Sequence, residues 1–245
     1  MRLKCIACDV LARPIYLCAA QSPHIVDVDL LERGLHDHPK VLRAELQSRV
    51  DQSQQYDAVL LGYGLCGQAT AGLKAGDRPI VIPRAHDCIT LFLGSRQRYD
   101  AQFETQPGTY WYALDYVERG NGAGGSMALG ANTGDDAGNI YAEYVEKYGK
   151  DNADYLMEVM GEWQAHYQRA AFVDMEIGDS SQVESEARAA AKRRGWAFEK
   201  LTGNLVLIRR LLNGDWNEDF LTLQPGQDLI MTYDEDIVGC SLVEH

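Results

Sequence analysis

Apolar residues in the first hundred positions follow two patterns that take turns along the chain: short unbroken runs, and stretches in which they recur at every third or fourth place. The opening run LKCIACDVL (3–11) predicts a buried strand with Cys8 and Asp9 near its C-terminal end. After a connector, Val41, Leu42, Leu46 and Val50 recur at helical spacing, and Pro39 stands where a first helical turn tolerates it. YDAVLLGYG (56–64) has the continuous apolar centre of a strand covered on both faces, and CGQATAGLKAG (66–76) reads as a helix behind it. PIVIPR (79–84) predicts a third strand and CITLFLGSRQRYDAQF (88–103) a third helix. This βαβαβα order predicts a parallel, doubly wound sheet, because right-handed crossovers put the helices on its faces and all strand C-termini at one edge.

PGTYWYALDYVE (107–118) predicts a fourth strand, and the pattern then breaks. Residues 119–138, RGNGAGGSMALGANTGDDAG, hold seven glycines and little apolar material, the composition of a loop or flap. GNGAGG lacks the spacing, the preceding strand and the following helix of a phosphate-binding glycine loop. Residues 139–168 read as helical with a break near Gly149, and a second alternating block follows. RAAFVDMEI, WAFEKLTG and FLTLQPG have strand character, separated by the helical SQVESEARAAAKRRG and NLVLIRRLLNG. The expected fold is α/β, two Rossmann-like lobes with mostly parallel sheets and a cleft between them. The expected divisions are 1–118, carrying the Cys/His site, then 119–138, then 139–245.

Charge narrows the choice of partners. Thirty-six acidic residues against 23 basic ones give a net charge of −13, which opposes non-specific attraction to nucleic acid or anionic membranes. No apolar run approaches the roughly 20 residues a membrane span needs, and MRLKCIACDV lacks a secretory pattern, so a cytoplasmic protein is expected. Six cysteines, at 5, 8, 18, 66, 88 and 240, are too few for a disulfide scaffold in a chain of this length.

Their placement points to chemistry instead. Cys8, Cys66 and Cys88 each fall at the C-terminal end of a different expected strand, where open α/β sheets place their ligand sites. Gly64 and Gly67 would let the backbone approach a ligand closely and offer N–H groups to thiolate sulfur. Two metal readings follow. Three cysteines could hold a [4Fe-4S] cluster with one iron open to substrate, the slightly favoured alternative. Alternatively Zn2+ could take Cys66, His86 and Cys88 with Cys8 or a substrate thiol, a centre suited to methyl transfer. His86 is then a proton donor or alternate ligand, Asp87 orients it, and Arg84 binds a small anionic substrate. Tyr110 shares a strand face with Tyr112, and core packing or a cleft wall would explain it. Singly, each cysteine is more simply a buried small hydrophobe, and Cys5, Cys18 and Cys240 are assigned that role. His36 and His38 read as a solvated loop, and Asp234, Glu235 and Asp236 as a solvent-facing acidic run.

GYGLCG (62–67), PRAHDCITLFLGSRQRY (83–99), PGTYW (107–111) and NGDWNEDFLTLQPGQDL (213–229) together resemble a bacterial and archaeal family of domains of unknown function. The resemblance spans nearly the whole chain, with Cys8, Gly64, Cys66, Gly67, Arg84, His86, Asp87 and Cys88 at matching positions. It implies a setting beside corrinoid-dependent methyltransferase systems, hence one-carbon or methyl-group metabolism, with a corrinoid protein or methyltransferase as partner. The expectation is a cytoplasmic metalloprotein and enzyme. The rivals are a non-catalytic partner or cofactor-handling protein of such a system, and a thiol enzyme using Cys88 with His86.

Overall fold

The computed structural model describes residues 1–119 and 167–242, with isolated positions 145, 149 and 150 between them. The flap expected at 119–138 and the helix expected at 139–168 therefore lie almost wholly outside the described residues. In chain order the elements are β1 (Arg2–Cys8), α1 (Ala12–Gln21), β2 (Ile25–Leu31), α2 (Pro39–Asp51), β3 (Ala58–Gly62), β4 (Ile80–Pro83), α3 (Cys88–Leu93), α4 (Arg96–Thr105), β5 (Thr109–Ala113) and α5 (Leu114–Glu118). They continue with β6 (Arg169–Asp174), α6 (Ser181–Arg194), β7 (Ala197–Thr202), α7 (Val206–Asn213), β8 (Phe220–Leu223), β9 (Gln227–Met231) and β10 (Val238–Leu242).

The protein is α/β and Rossmann-like, with mostly parallel strands in its main sheets, and it divides into two compact units. The first unit joins Met1–Asp100 to Gly203–His245. Its sheet runs β2-β1-β3-β4-β8, with β1 parallel to β2 and β3, β3 parallel to β4, and β8 antiparallel to β4. The apolar runs behave as their composition dictates: every residue of β3 and β4 is buried. Removing each Val, Leu or Ile side chain of these strands from water stabilises the fold by about 1.5–3 kcal/mol before entropy is counted. α1 and α7 pack against each other, and α7 also lies on β3 and β4 with Leu207, Ile208, Leu211 and Leu212 buried. The second unit is Ala101–Thr202, a parallel sheet in the order β5-β6-β7 with α6 packed on it.

Several expectations differ from this arrangement. The connector before α2 contains both α1 and β2. β2 alternates Asp27 and Asp29 with apolar residues because it is an edge strand, and Arg2, Lys4, Arg49 and Tyr56 take up those carboxylates. The stretch expected as a helix at 66–76 is a series of turns, since Cys66, Gly67 and Gln68 have φ of 47°, 61° and 70° and no right-handed helix passes through them. β5 belongs to the second sheet and not the first. The observed division also departs from the expected lobes 1–118 and 139–245. The chain re-enters the first unit at Gly203, where β8 adds to the edge of β4 and the β9–β10 hairpin follows.

Candidate functional site

In the sheet order β2-β1-β3-β4, successive connections leave β1 and β3 in opposite directions along the sheet, which makes the C-terminal edge between these strands a switch point. A cavity opens there. It is lined by Cys8, Gly62, Tyr63, Cys66 and Cys88, with Leu42 from α2 and with Glu32, Arg33 and His36 from the segment after β2. All of these residues belong to the first unit. The free space is narrow, about 10 Å³, which is close to the room needed by a single water or ion.

Each thiol reaches the cavity for a local reason. Cys8 is the last residue of β1 and leads into a 3-10 turn at Asp9–Leu11, with its Sγ 4.0 Å from Asp9 Oδ1. Asp9 Oδ1 also accepts from the Arg33 backbone N–H at 3.0 Å, tying the turn after β1 to the segment after β2. Cys66 sits on the loop after β3, clamped to the loop after β4: Leu65 N–H donates to Ala85 O at 2.8 Å and Cys66 N–H to His86 O at 2.9 Å. The left-handed backbone at Cys66 and Gln68 costs about 1–2 kcal/mol per residue. It is held by Arg43 of α2, whose guanidinium donates to Gln68 O at 2.6 Å and Ala69 O at 3.4 Å. Thr70 Oγ1 donating to Gly64 O at 3.1 Å closes the same loop. Cys88 is the first residue of α3, and Asp87 caps that helix by accepting from the Ile89 N–H at 2.9 Å.

The electrostatics set the chemistry. Burial pushes the Cys8 thiol up to about 12. Burial raises Cys66 and Cys88 as well, and the negative charge of Asp87 and of the neighbouring thiols raises them further. Such thiols stay protonated and are poor nucleophiles by themselves, whereas a bound cation reverses the balance by stabilising thiolate. Tyr63, 2% exposed, shares the cavity wall with these thiols, and burial raises its hydroxyl well above the ordinary value. That hydroxyl is buried and has no hydrogen-bond partner among the described residues, a condition that costs about 1–3 kcal/mol.

The expected site residues thus separate. Cys8, Cys66 and Cys88 line one cavity, yet among the described residues no three His, Cys, Asp or Glu side chains are placed as a ready-made metal cage. Gly64 is essential to the clamp, because a Cβ there would lie 2.6 Å from Ala85 O and 2.7 Å from Asp87 N. Gly67 provides the middle of the left-handed turn. His86 is exposed and stacks on Tyr99 with ring centroids 5.7 Å apart, and it is not among the cavity-lining residues. Asp87 accepts from Tyr99 Oη at 3.3 Å in addition to its capping bond, so its observed role is to hold the start of α3. Arg84 donates through Nη1 to Val238 O at 2.5 Å and Asp236 O at 3.2 Å, pinning the β9–β10 hairpin where an anion-binding role was expected. Tyr110 is packed in the aromatic core of the second unit against Tyr112, Tyr167 and Trp196.

The sequence reading missed Tyr63, Glu32 and Arg33, and it assigned to a solvated loop the cavity-lining His36. The last three follow β2, and β2 is the neighbour of β1, so their segment reaches the same sheet edge. The alternation in IVDVDLL is the signal that could have located them.

Fold and cavity together define an α/β protein with a doubly wound parallel sheet and a thiol-lined pocket at its switch point. More particularly, the chain belongs to the family described as protein of unknown function (DUF1638), which matches residues 30–212. The matched span includes Tyr63, Cys66 and Cys88, and it begins after Cys8. No curated protein and no solved structure matches the chain. Among the described residues no helix is long and apolar enough to cross a membrane.

Proposed function

We propose that the protein is a metalloprotein in which Cys8, Cys66 and Cys88 hold a soft metal centre in the switch-point cavity. The observation that carries this reading is that three thiols, at the end of β1, on the loop after β3 and at the start of α3, line one small cavity. The donor set, three cysteine thiols on one cavity wall, suits a thiophilic metal. The available space favours a single ion such as Zn2+ over a [4Fe-4S] cube, which would require the surrounding side chains to draw back. When bound, such a centre supplies a Lewis-acidic position for a substrate thiol or oxygen.

The protein's own groups then have distinct tasks. Arg43, Thr70 and Gly64 keep the Cys66 turn in its left-handed form, and Asp87 fixes the start of α3 and with it Cys88. The Val10 backbone N–H lowers the cost of negative charge on Cys8, partly countering burial, and the Arg33 charge works against that of Asp9. The setting we propose, methyl-group metabolism beside a corrinoid methyltransferase system, rests on the motif resemblance alone and is read by co-purification with a corrinoid protein.

Anoxic purification, elemental analysis and an absorption spectrum test the metal. Stoichiometric zinc in a colourless protein, lost in Cys66→Ala, supports the single-ion reading. A brown protein with iron and sulfide, bleached by the same substitution, would establish the cluster instead. A protein that carries neither and takes up neither when supplied would end the proposal.

A further inference from the structure

We infer that Cys66 and Cys88 are a reversible disulfide pair that locks the loop after β3 to the loop after β4. Both thiols are free, and both wall a cavity with room of only about 10 Å³. The narrowness of that shared space matters, because a disulfide needs its two Cα atoms within about 7 Å of each other. The backbone brings the two cysteines together through contacts that involve no sulfur. Cys66 N–H donates to His86 O at 2.9 Å, and Cys88 follows two residues along the same loop. Two residues before Cys66, a Cβ on Gly64 would stand 2.9 Å from the Cα of Asp87, the neighbour of Cys88. Each cysteine is thus within two residues of a point where the loops touch. Cys8 is held the other way: Asp9, whose Oδ1 is 4.0 Å from the Cys8 Sγ, accepts from the Arg33 N–H, and β2 lies across β1 from β3. The oxidant is a small-molecule disulfide, R–S–S–R. The half-buried Cys88 forms a mixed disulfide and releases one R–SH, and the buried Cys66 then displaces the second. The protein loses two hydrogens and two electrons, and the oxidant leaves as two thiols. The new bond closes the stretch from 66 to 88, which contains β4, and so removes freedom from the unfolded chain. It also withdraws two sulfurs from the metal centre proposed above, but the pairing does not depend on that centre.

The test takes the full-length protein, reduced and freed of metal with a chelator, and incubates it folded with oxidised glutathione or with the smaller cystamine. The expected product has a mass lower by two hydrogens and yields a digest in which the Cys66 and Cys88 peptides are joined. Its urea midpoint is expected to rise by roughly 1 M, and dithiothreitol should reverse every change. Cys240→Ser should keep the mass loss and Cys88→Ser should abolish it. No mass loss with either oxidant, a linkage through another cysteine, mixed adducts without the internal bond, or a lowered midpoint would each overturn the inference. Metal analysis of the reduced, untreated protein is read separately: a metal-free protein that forms the bond would remove the metal reading and leave this one standing, and a metal-loaded protein that never forms it would do the reverse.

Discussion

At the scale of single residues, backbone fit around the thiols is as demanding as the thiols themselves. Gly64 is the point where the loops after β3 and β4 touch, and its missing Cβ leaves room for Ala85 O and Asp87 N. Those obstacles are backbone atoms and cannot swing aside. Gly64→Ala is therefore expected to destabilise the protein by about 2 kcal/mol or more, measured as a shift in denaturant midpoint with unchanged m-value, and to disturb Cys66 and Cys88 together. A shift below about 0.5 kcal/mol would show that the clamp relaxes freely. The thiols were legible because each follows an apolar run, and strand ends of a parallel sheet converge. Tyr63 was hidden, because an aromatic residue after a strand reads as core until its unpaired hydroxyl is seen. His86 and Arg84 misled for the opposite reason: charged residues beside Cys88 suggest chemistry, but in the fold one stacks on Tyr99 and the other anchors a hairpin.

At the scale of elements, the strands with unbroken apolar cores were read correctly, and the edge strand β2 and the helix α1 beside it were not. β2 carries alternate acids that are neutralised by residues distant in sequence, which a local reading cannot anticipate. α1 starts directly from a 3-10 turn with no side-chain cap, so the usual helix-start signal is missing. In the second unit, β7 is joined to its surroundings by charge: Lys200 Nζ lies 2.8 Å from Asp174 Oδ2 of β6 and 2.8 Å from Glu184 Oε2 of α6. Burial alone would raise the Asp174 pKa, but the hydrogen bonds from Lys200 and from the Glu176 backbone N–H, with the charge of Lys200, together outweigh it and leave it lowered; Glu184 is lowered chiefly by the hydrogen bond from Lys200. A carboxylate whose folded pKa lies below its unfolded one contributes stability above the ordinary range near pH 4, and that contribution disappears as pH falls through the folded value. Lys200→Met should thus cost at most about 1 kcal/mol at pH 7, given the lysine's exposure, and the gap to wild type should be narrower at pH 3. Denaturant midpoints at the two pH values check this, and an equal gap at both would mean that packing by the lysine stem, not the ion pairs, carries the effect.

At the scale of the whole molecule, the alternation of strand and helix identified the fold class but could not show which strands share a sheet. FLTLQPG reads like the last strand of a second lobe, yet β8 pairs antiparallel with β4 over Ile80↔Leu223 to Pro83↔Phe220. The reason is tertiary. α7 buries a wide apolar face on β3, β4 and α1, so the segment after Gly203 has its hydrophobic partners in the first hundred residues. The two passes of the chain meet closely at Gly94, whose absent Cβ would stand 2.6 Å from Asn204 O, and Asn204 N–H donates to Phe92 O at 2.8 Å. The second unit is then an insertion between neighbouring points of the first. Residues 1–100 joined to 203–245 through a flexible linker of about six residues, able to span roughly 20 Å, should fold cooperatively and bind metal through Cys8, Cys66 and Cys88. Residues 1–118 alone should not, because β4 would lose its edge partner and the helices of the first sheet would lose α7. Urea melts and metal uptake of the two chains decide the matter: a cooperative, metal-binding 1–118 would show that the returning segment only covers a fold already complete, and a spliced chain that stays unfolded would show that the first unit depends on the inserted one.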